Sequence, residues 1–331
     1  MGRRKMPFLL LAALLWALPV WAAEPAPLKK AAFIPQWVPQ AQFAGYYMAL
    51  EKGFYRAHGI DLTIISGGPA NPPADCLTSG QAQFATLWLC TGLEMRDSGI
   101  PVVNIAQMVQ RSALMLVAKK SSGIRTIQDL QGRKVGVWGP IFQLQPRALF
   151  KKLGLDVQFI RQSYSVNLFL RDGVDAASAM WYNEYHTIIN AGLNPDELVP
   201  FFFHEYGLNF PEDGIYVLEH TLQEDPALCC AFMKASIEGW LYAFDHVEET
   251  LDVVMKNLKD AHIPATRVHQ KWMLERMHDL MRPASGAWSE TGLLLRADYQ
   301  RAAEMMQKEG FIDAVPEFTS FHKDCTPDAA P

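Results

Sequence analysis

Two segments of this 331-residue chain concentrate side chains able to grip a flat ring. The first, Gln36-Trp37-Val38-Pro39-Gln40-Ala41-Gln42-Phe43-Ala44-Gly45-Tyr46-Tyr47, holds Trp37 between Pro35 and Pro39, which predicts a loop around it. The second, Met180-Trp181-Tyr182-Asn183-Glu184-Tyr185, follows an apolar run and opens a helical pattern. Trp37, Phe43, Tyr46, Trp88, Trp138, Trp181 and Tyr182 fall in loops and at element starts. Their flat faces suit a planar heteroaromatic ligand, because stacking buries a large area in a preferred geometry. Phe43 and Tyr46 stand three apart on one helix face, so one can serve the core while the other meets a cleft. Asn183 and Glu184 place donors and an acceptor near a helix N-terminus. Gly67-Gly68-Pro69 follows a strand, where a missing Cβ at Gly68 lets backbone approach a ligand, with Pro69 beside it. Gly136-Val137-Trp138-Gly139-Pro140 offers Trp138 as a second wall, and it lacks the Gly-x-Gly-x-x-Gly order of a dinucleotide site. Tyr206 and Asp213 are further candidates.

Other chemistry finds less support. His204 and Glu205 are adjacent on an expected strand and point oppositely, which disfavours acid/base catalysis. The nine His are scattered, and no Cys-x-x-Cys or His-Glu-x-x-His occurs, so no metal is expected. Five cysteines, Cys76, Cys90, Cys229, Cys230 and Cys325, leave at least one unpaired, and Cys229 and Cys230 on one helix can hardly bridge each other.

The elements that must hold these residues alternate between short apolar strands and helices, which predicts an α/β fold with a largely parallel sheet. A polar segment, Lys119-Lys120-Ser121-Ser122-Gly123, reads as a crossing between two lobes. The expected organisation is one lobe from 28–118 plus 214–312, a second from 119–213, and a loose tail at 313–331. A ligand would sit where strand ends of both lobes meet. Ahead of them, Arg3, Arg4 and Lys5, an apolar run and small residues near Ala22 and Ala23 predict a signal peptide over 1–22 and export. The net charge of -5 provides no basic field for nucleic acid.

The first segment continues through Ala49-Leu50-Glu51-Lys52-Gly53-Phe54-Tyr55 to Gly59-Ile60-Asp61. Together with Thr78-Ser79-Gly80-Gln81-Ala82, Ser98-Gly99-Ile100-Pro101-Val102, Asp129-Leu130-Gln131-Gly132-Arg133-Lys134-Val135-Gly136 and Gly173-Val174-Asp175-Ala176, it resembles the NMT1/THI5-like substrate-binding proteins of ABC importers. That resemblance implies a type II periplasmic-binding-protein fold closing on a small heteroaromatic ligand and delivering it to an ABC permease and its ATPase. A periplasmic monomer without a cofactor is expected. Asn183 and Glu184 match the exocyclic amine and ring nitrogens of a thiamine pyrimidine precursor such as formylaminopyrimidine or hydroxymethylpyrimidine. Riboflavin is the alternative ligand within the family. The family also contains pyrimidine synthases that consume pyridoxal phosphate through a Lys and a His four apart. The corresponding positions here are Leu87 and Thr91, which can form neither a Schiff base nor an imidazole donor.

Overall fold

A computed structural model describes residues 27–283 and 285–324. The expected signal peptide and Cys325 lie outside the described residues. Among the described residues ten strands form two five-stranded sheets. The first contains β1 (Lys29–Ile34), β2 (Ile60–Ile64), β3 (Phe84–Trp88), β4 (Val102–Gln107) and the late strand β10 (Asp213–Leu218), in the order β2-β1-β3-β10-β4. The second contains β5 (Leu114–Lys119), β6 (Lys134–Val137), β7 (Gln158–Arg161), β8 (Ala176–Met180) and β9 (Leu198–Phe202), in the order β7-β6-β8-β5-β9. Each sheet is parallel on one side and carries one antiparallel strand near the other: β10 in the first, β5 in the second. Each antiparallel strand follows directly on a passage from the opposite lobe, so the two lobes share one order and are joined by two chain segments.

This pairing moves the first crossing. Leu114-Met115-Leu116-Val117-Ala118 is buried throughout and pairs with β8 and β9, so it belongs to the second lobe and not, as expected, to the first. The chain therefore crosses within residues 108–113. The polar stretch after it is a surface 3-10 turn, Lys120–Ser122, closed by Gly123 in the left-handed region, at the far end of the strand. Polarity marked a turn there, and the crossing itself runs through Met108, Val109 and Ala113, which are buried.

The helices after β10 return to the first sheet. Phe232, on the helix Pro226–Asp245, stacks on Phe84 with ring centroids 4.0 Å apart and also meets Phe33 and Tyr55. The helix Ala44–Glu51 crosses the same helix through a pair of glycines: a Cβ at Gly239 would lie 2.2 Å from the Gly45 carbonyl oxygen. This packing settles two candidates. Phe43 is fully buried, and Tyr46 packs between Phe33 and Trp240, so both belong to the core and not to a cleft.

The expected loose tail is also corrected. A short helix, Phe318–Phe321, buries Phe321 completely against Tyr216 and Tyr299, and the His322 ring and the Lys323 amide bond Asn104. Residues up to 324 are docked because an aromatic side chain fills a site beside Gly92, where a Cβ would meet the Tyr216 ring. No helix of the described residues is long and apolar enough to cross a membrane.

Candidate functional site

Strand ends from both sheets converge on one cleft. β1 ends at Ile34 and leads to Gln36 and Trp37, β3 ends at Trp88, β6 leads to Trp138, and β8 ends at Met180 ahead of Tyr182, Asn183 and the helix Glu184–Asn190. Between them lies a cavity of about 380 Å³, in the lower part of the roughly 300–1,000 Å³ range of small-molecule sites. Its walls are mainly aromatic: Trp37 and Trp88 from the first lobe, with Trp138, Phe142, Tyr164 and Tyr182 from the second. Trp37 meets Tyr164 edge to face at 5.1 Å, and Trp88 meets Phe142 at 4.8 Å, so rings from opposite lobes touch.

The polar groups are few and fixed. The Glu184 carboxylate accepts from the Met180 amide at 3.0 Å and from Asn183 Nδ2 at 2.9 Å. Burial nevertheless pushes its carboxyl up to about 7, against an ordinary 4.5. Asn183 is held in turn by the His269 ring at 2.9 Å, and His269 meets His186 across the lobes, also at 2.9 Å. Below the cavity, Asp213 accepts from Gln36 and from Gln42 Nε2 at 2.8 Å, and burial raises it to about 7. Its neighbour Glu212, raised to about 8 by burial and by Asp213, faces the crossing: it accepts from the Ala113 amide at 2.6 Å and from Ser112 Oγ at 3.0 Å. Among the described residues no cluster of His, Cys, Asp and Glu could hold a metal ion.

Six of the residues singled out in the sequence come together on this cavity: Trp37, Trp88, Trp138, Tyr182, Asn183 and Glu184. The others do not. Phe43 and Tyr46 are core. Gly68 and Pro69 sit in the preceding turn, and it is Pro72, Pro73 and Ala74 that reach the wall. The missing Cβ at Gly67 admits the Pro35 carbonyl, which a Cβ would approach to 1.8 Å, so that close contact is made by the chain itself. Tyr206 lies in a 3-10 turn of the second lobe, its carbonyl bonded by Lys152. Asp213 is one layer behind the wall. Sequence reasoning missed Gln36, Gln40 and Gln42 as lining residues, although their spacing by two and four around Pro39 was visible; Phe142 and Tyr164 carried no signal beyond their aromaticity. Leu87 and Thr91 both line the cavity.

The two-lobed sheets and the cleft at their strand ends define a periplasmic-binding-protein fold. The periplasmic aliphatic sulphonate binding protein SsuA from Escherichia coli superposes with a TM-score of 0.65 at 14% identity, covering 87% of this chain and 94% of that one. The chain belongs to the family described as NMT1/THI5 like, whose pattern matches residues 40–250. The riboflavin-binding protein RibY of Chloroflexus aurantiacus is 26% identical over 90% of this chain and 88% of its own length. The formylaminopyrimidine-binding protein of Halalkalibacterium halodurans is 24% identical over 82% and 84%. A pyrimidine phosphate synthase of Saccharomyces cerevisiae, THI5, matches only 44% of this chain, at 26% identity.

Proposed function

We propose that this protein is an exported solute-binding protein that captures a thiamine pyrimidine precursor of the formylaminopyrimidine or hydroxymethylpyrimidine kind and passes it to an ABC permease. The observation that carries the reading is the pairing of aromatic walls with one recessed acid. Trp37, Trp88, Trp138 and Tyr182 supply faces for a planar ring, and Glu184 with Asn183 supplies an edge. A carboxyl near neutrality can accept from an exocyclic amine when ionised or donate to a ring nitrogen when protonated. Both full-length relatives above are named for binding heterocycles, and the riboflavin reading rests on the first of them.

The protein works in the periplasm as a monomer, and its partners are the permease and, across the membrane from it, the ATPase of that permease. We read it as a binding protein and not a synthase: Leu87 and Thr91, which line the cavity, are the residues that the family resemblance sets at the synthase Lys and His positions, and neither can form a Schiff base or donate an imidazole. Calorimetric titration with formylaminopyrimidine, hydroxymethylpyrimidine and riboflavin tests the assignment. Tight binding of an aminopyrimidine and none of riboflavin is expected. Tight riboflavin binding alone would replace the ligand, and a borohydride-trapped adduct with pyridoxal phosphate would overturn the binding-protein reading.

A further inference from the structure

We infer that Asp213 is a positioning residue that fixes the polarity of the cavity floor, turning the carboxamide oxygens of Gln36 and Gln40 toward the ligand so that the site selects N–H donors there. A glutamine side chain is ambivalent: it presents either two donors or an acceptor, and rotation by half a turn exchanges them. Three glutamines, Gln36, Gln40 and Gln42, line this cavity, so the floor could read a donor or an acceptor. A neighbouring carboxylate removes the choice, because it only accepts.

The geometry carries this order from one amide to the next. Gln36 Nε2 donates to Asp213 Oδ1, and Gln42 Nε2 donates to Oδ2 at 2.8 Å. With its amino group committed, Gln42 offers its oxygen, which takes the amino group of Gln40 at 2.5 Å. Asp213 lies directly opposite Trp88 in the antiparallel pairing of β10 with β3, which puts both side chains on one face of the sheet. No hydrogen bond from a described residue reaches the oxygens of Gln36 and Gln40, and both residues line the cavity. Among the described residues no Lys or Arg lines the cavity to compete for them. Such chains of hydrogen bonds polarise one another, and breaking the first link frees the rest.

The ligand class used below rests on the proposed function; the amide order does not. At about pH 8, above the about 7 at which Asp213 titrates, two probes are compared by calorimetry: 4-amino-5-hydroxymethyl-2-methylpyrimidine and the same ring with a methoxy group replacing the amine. Wild type should prefer the amine. Asp213→Asn, isosteric but able to donate, should lower that preference about tenfold, the worth of one exchanged hydrogen bond, or reverse it. Gln36→Leu, which leaves the carboxylate in place, should lower it likewise. Thermal unfolding confirms that each variant is folded. Independently, in ligand-free protein carrying 15N-glutamine, the side-chain NH2 signals of Gln36 and Gln42 should exchange slowly with solvent in wild type and rapidly in Asp213→Asn. An unchanged amine preference in both variants, or freely exchanging amide signals in wild type, would overturn the positioning role. If wild type binds neither probe, the functional reading fails, while the amide measurement still decides the role of Asp213.

Discussion

Trp37, on the loop after β1, and Tyr164, beyond β7, meet edge to face across the cleft with ring centroids 5.1 Å apart. Trp88 and Phe142 repeat the arrangement at 4.8 Å. Each pair takes one ring from each lobe, so the lobes cannot part without separating both. Edge-to-face pairs are worth about 0.5–1.5 kcal/mol beyond their buried area, and Tyr164 remains 64% exposed. The clasp is therefore weak enough to open for a ligand, and strong enough to add to the contacts that a bound ring makes with both walls.

Removing the ring that belongs to both clasp and wall should cost the most. Trp37→Ala is expected to weaken ligand binding by about 1–3 kcal/mol, through lost stacking and lost closure. Tyr164→Ala should cost less, since much of that ring faces solvent. The two losses should not add in a double-mutant cycle: a coupling of about 0.5–1.5 kcal/mol is expected for rings in direct contact. Calorimetry on the four proteins measures it, and strict additivity would show that the contact plays no part in holding ligand.

Glu184 gives the ligand edge its own test. Glu184→Ala should weaken binding by about 1–3 kcal/mol through loss of a charge-assisted hydrogen bond, with Asn183 left unanchored on that side. Glu184→Gln keeps the shape and the acceptor oxygen, and should retain more affinity. Equal affinity in wild type and Glu184→Ala would remove this carboxylate from the site.

The buried acids also set a pH dependence of stability. Glu184 and Asp213 are raised to about 7 and Glu212 to about 8, in each case chiefly by burial. In the unfolded chain all three ionise at ordinary values, so from about pH 4 up to their folded values of about 7 to 8 the native state holds the extra protons and stability falls as pH rises, levelling off above about pH 8. The stability these acids contribute is fully present below their unfolded pKa and lost through the folded one. Buried His186 and half-buried His269 and His322 are shifted down by desolvation, and their opposite effect is confined below about pH 6.5. The melting temperature is expected to fall from about pH 6.5 to about pH 8, and Glu212→Gln should flatten the fall. A melting temperature that rises from pH 6.5 to 8.5 would contradict the assignment of these acids as neutral at the lower pH.

The alternation of strands and helices, and most of the aromatic cleft, could be read from local pattern because loops at strand ends show their Trp and Gly residues openly. What depends on pairing was not legible. The register that places β5 in the second sheet is a long-range choice, and its apolar run fits either lobe equally well. Phe43 and Tyr46 share the motif of Trp37, yet one helical turn carries them from the cleft to the core, and only the contact with Trp240 and Phe33 distinguishes the two. The ordered glutamines were present in the motif, but their meaning depends on Asp213, 171 residues away from Gln42.

The C-terminal segment supplies the last test, because its sequence and its packing point in opposite directions. Pro316, Pro327, Pro331 and several Asp residues give the end of the chain the composition of a solvated tail. Phe318 and Phe321 contradict that composition: Phe321 is fully buried, 5.1 Å from the Tyr299 ring and 6.1 Å from Tyr216, a residue of the interior strand β10. Deleting that ring leaves a cavity against the sheet that rigid neighbours can fill only in part. Phe321→Ala is expected to destabilise the protein by about 3–5 kcal/mol, lowering the denaturant midpoint with little change in slope. Thr319→Ala, two residues away and outside the buried set, should cost within about 0.5 kcal/mol. Ligand affinity should survive in both, since neither side chain lines the cleft. If chemical denaturation shows Phe321→Ala as stable as Thr319→Ala, the segment is the loose tail its composition suggests.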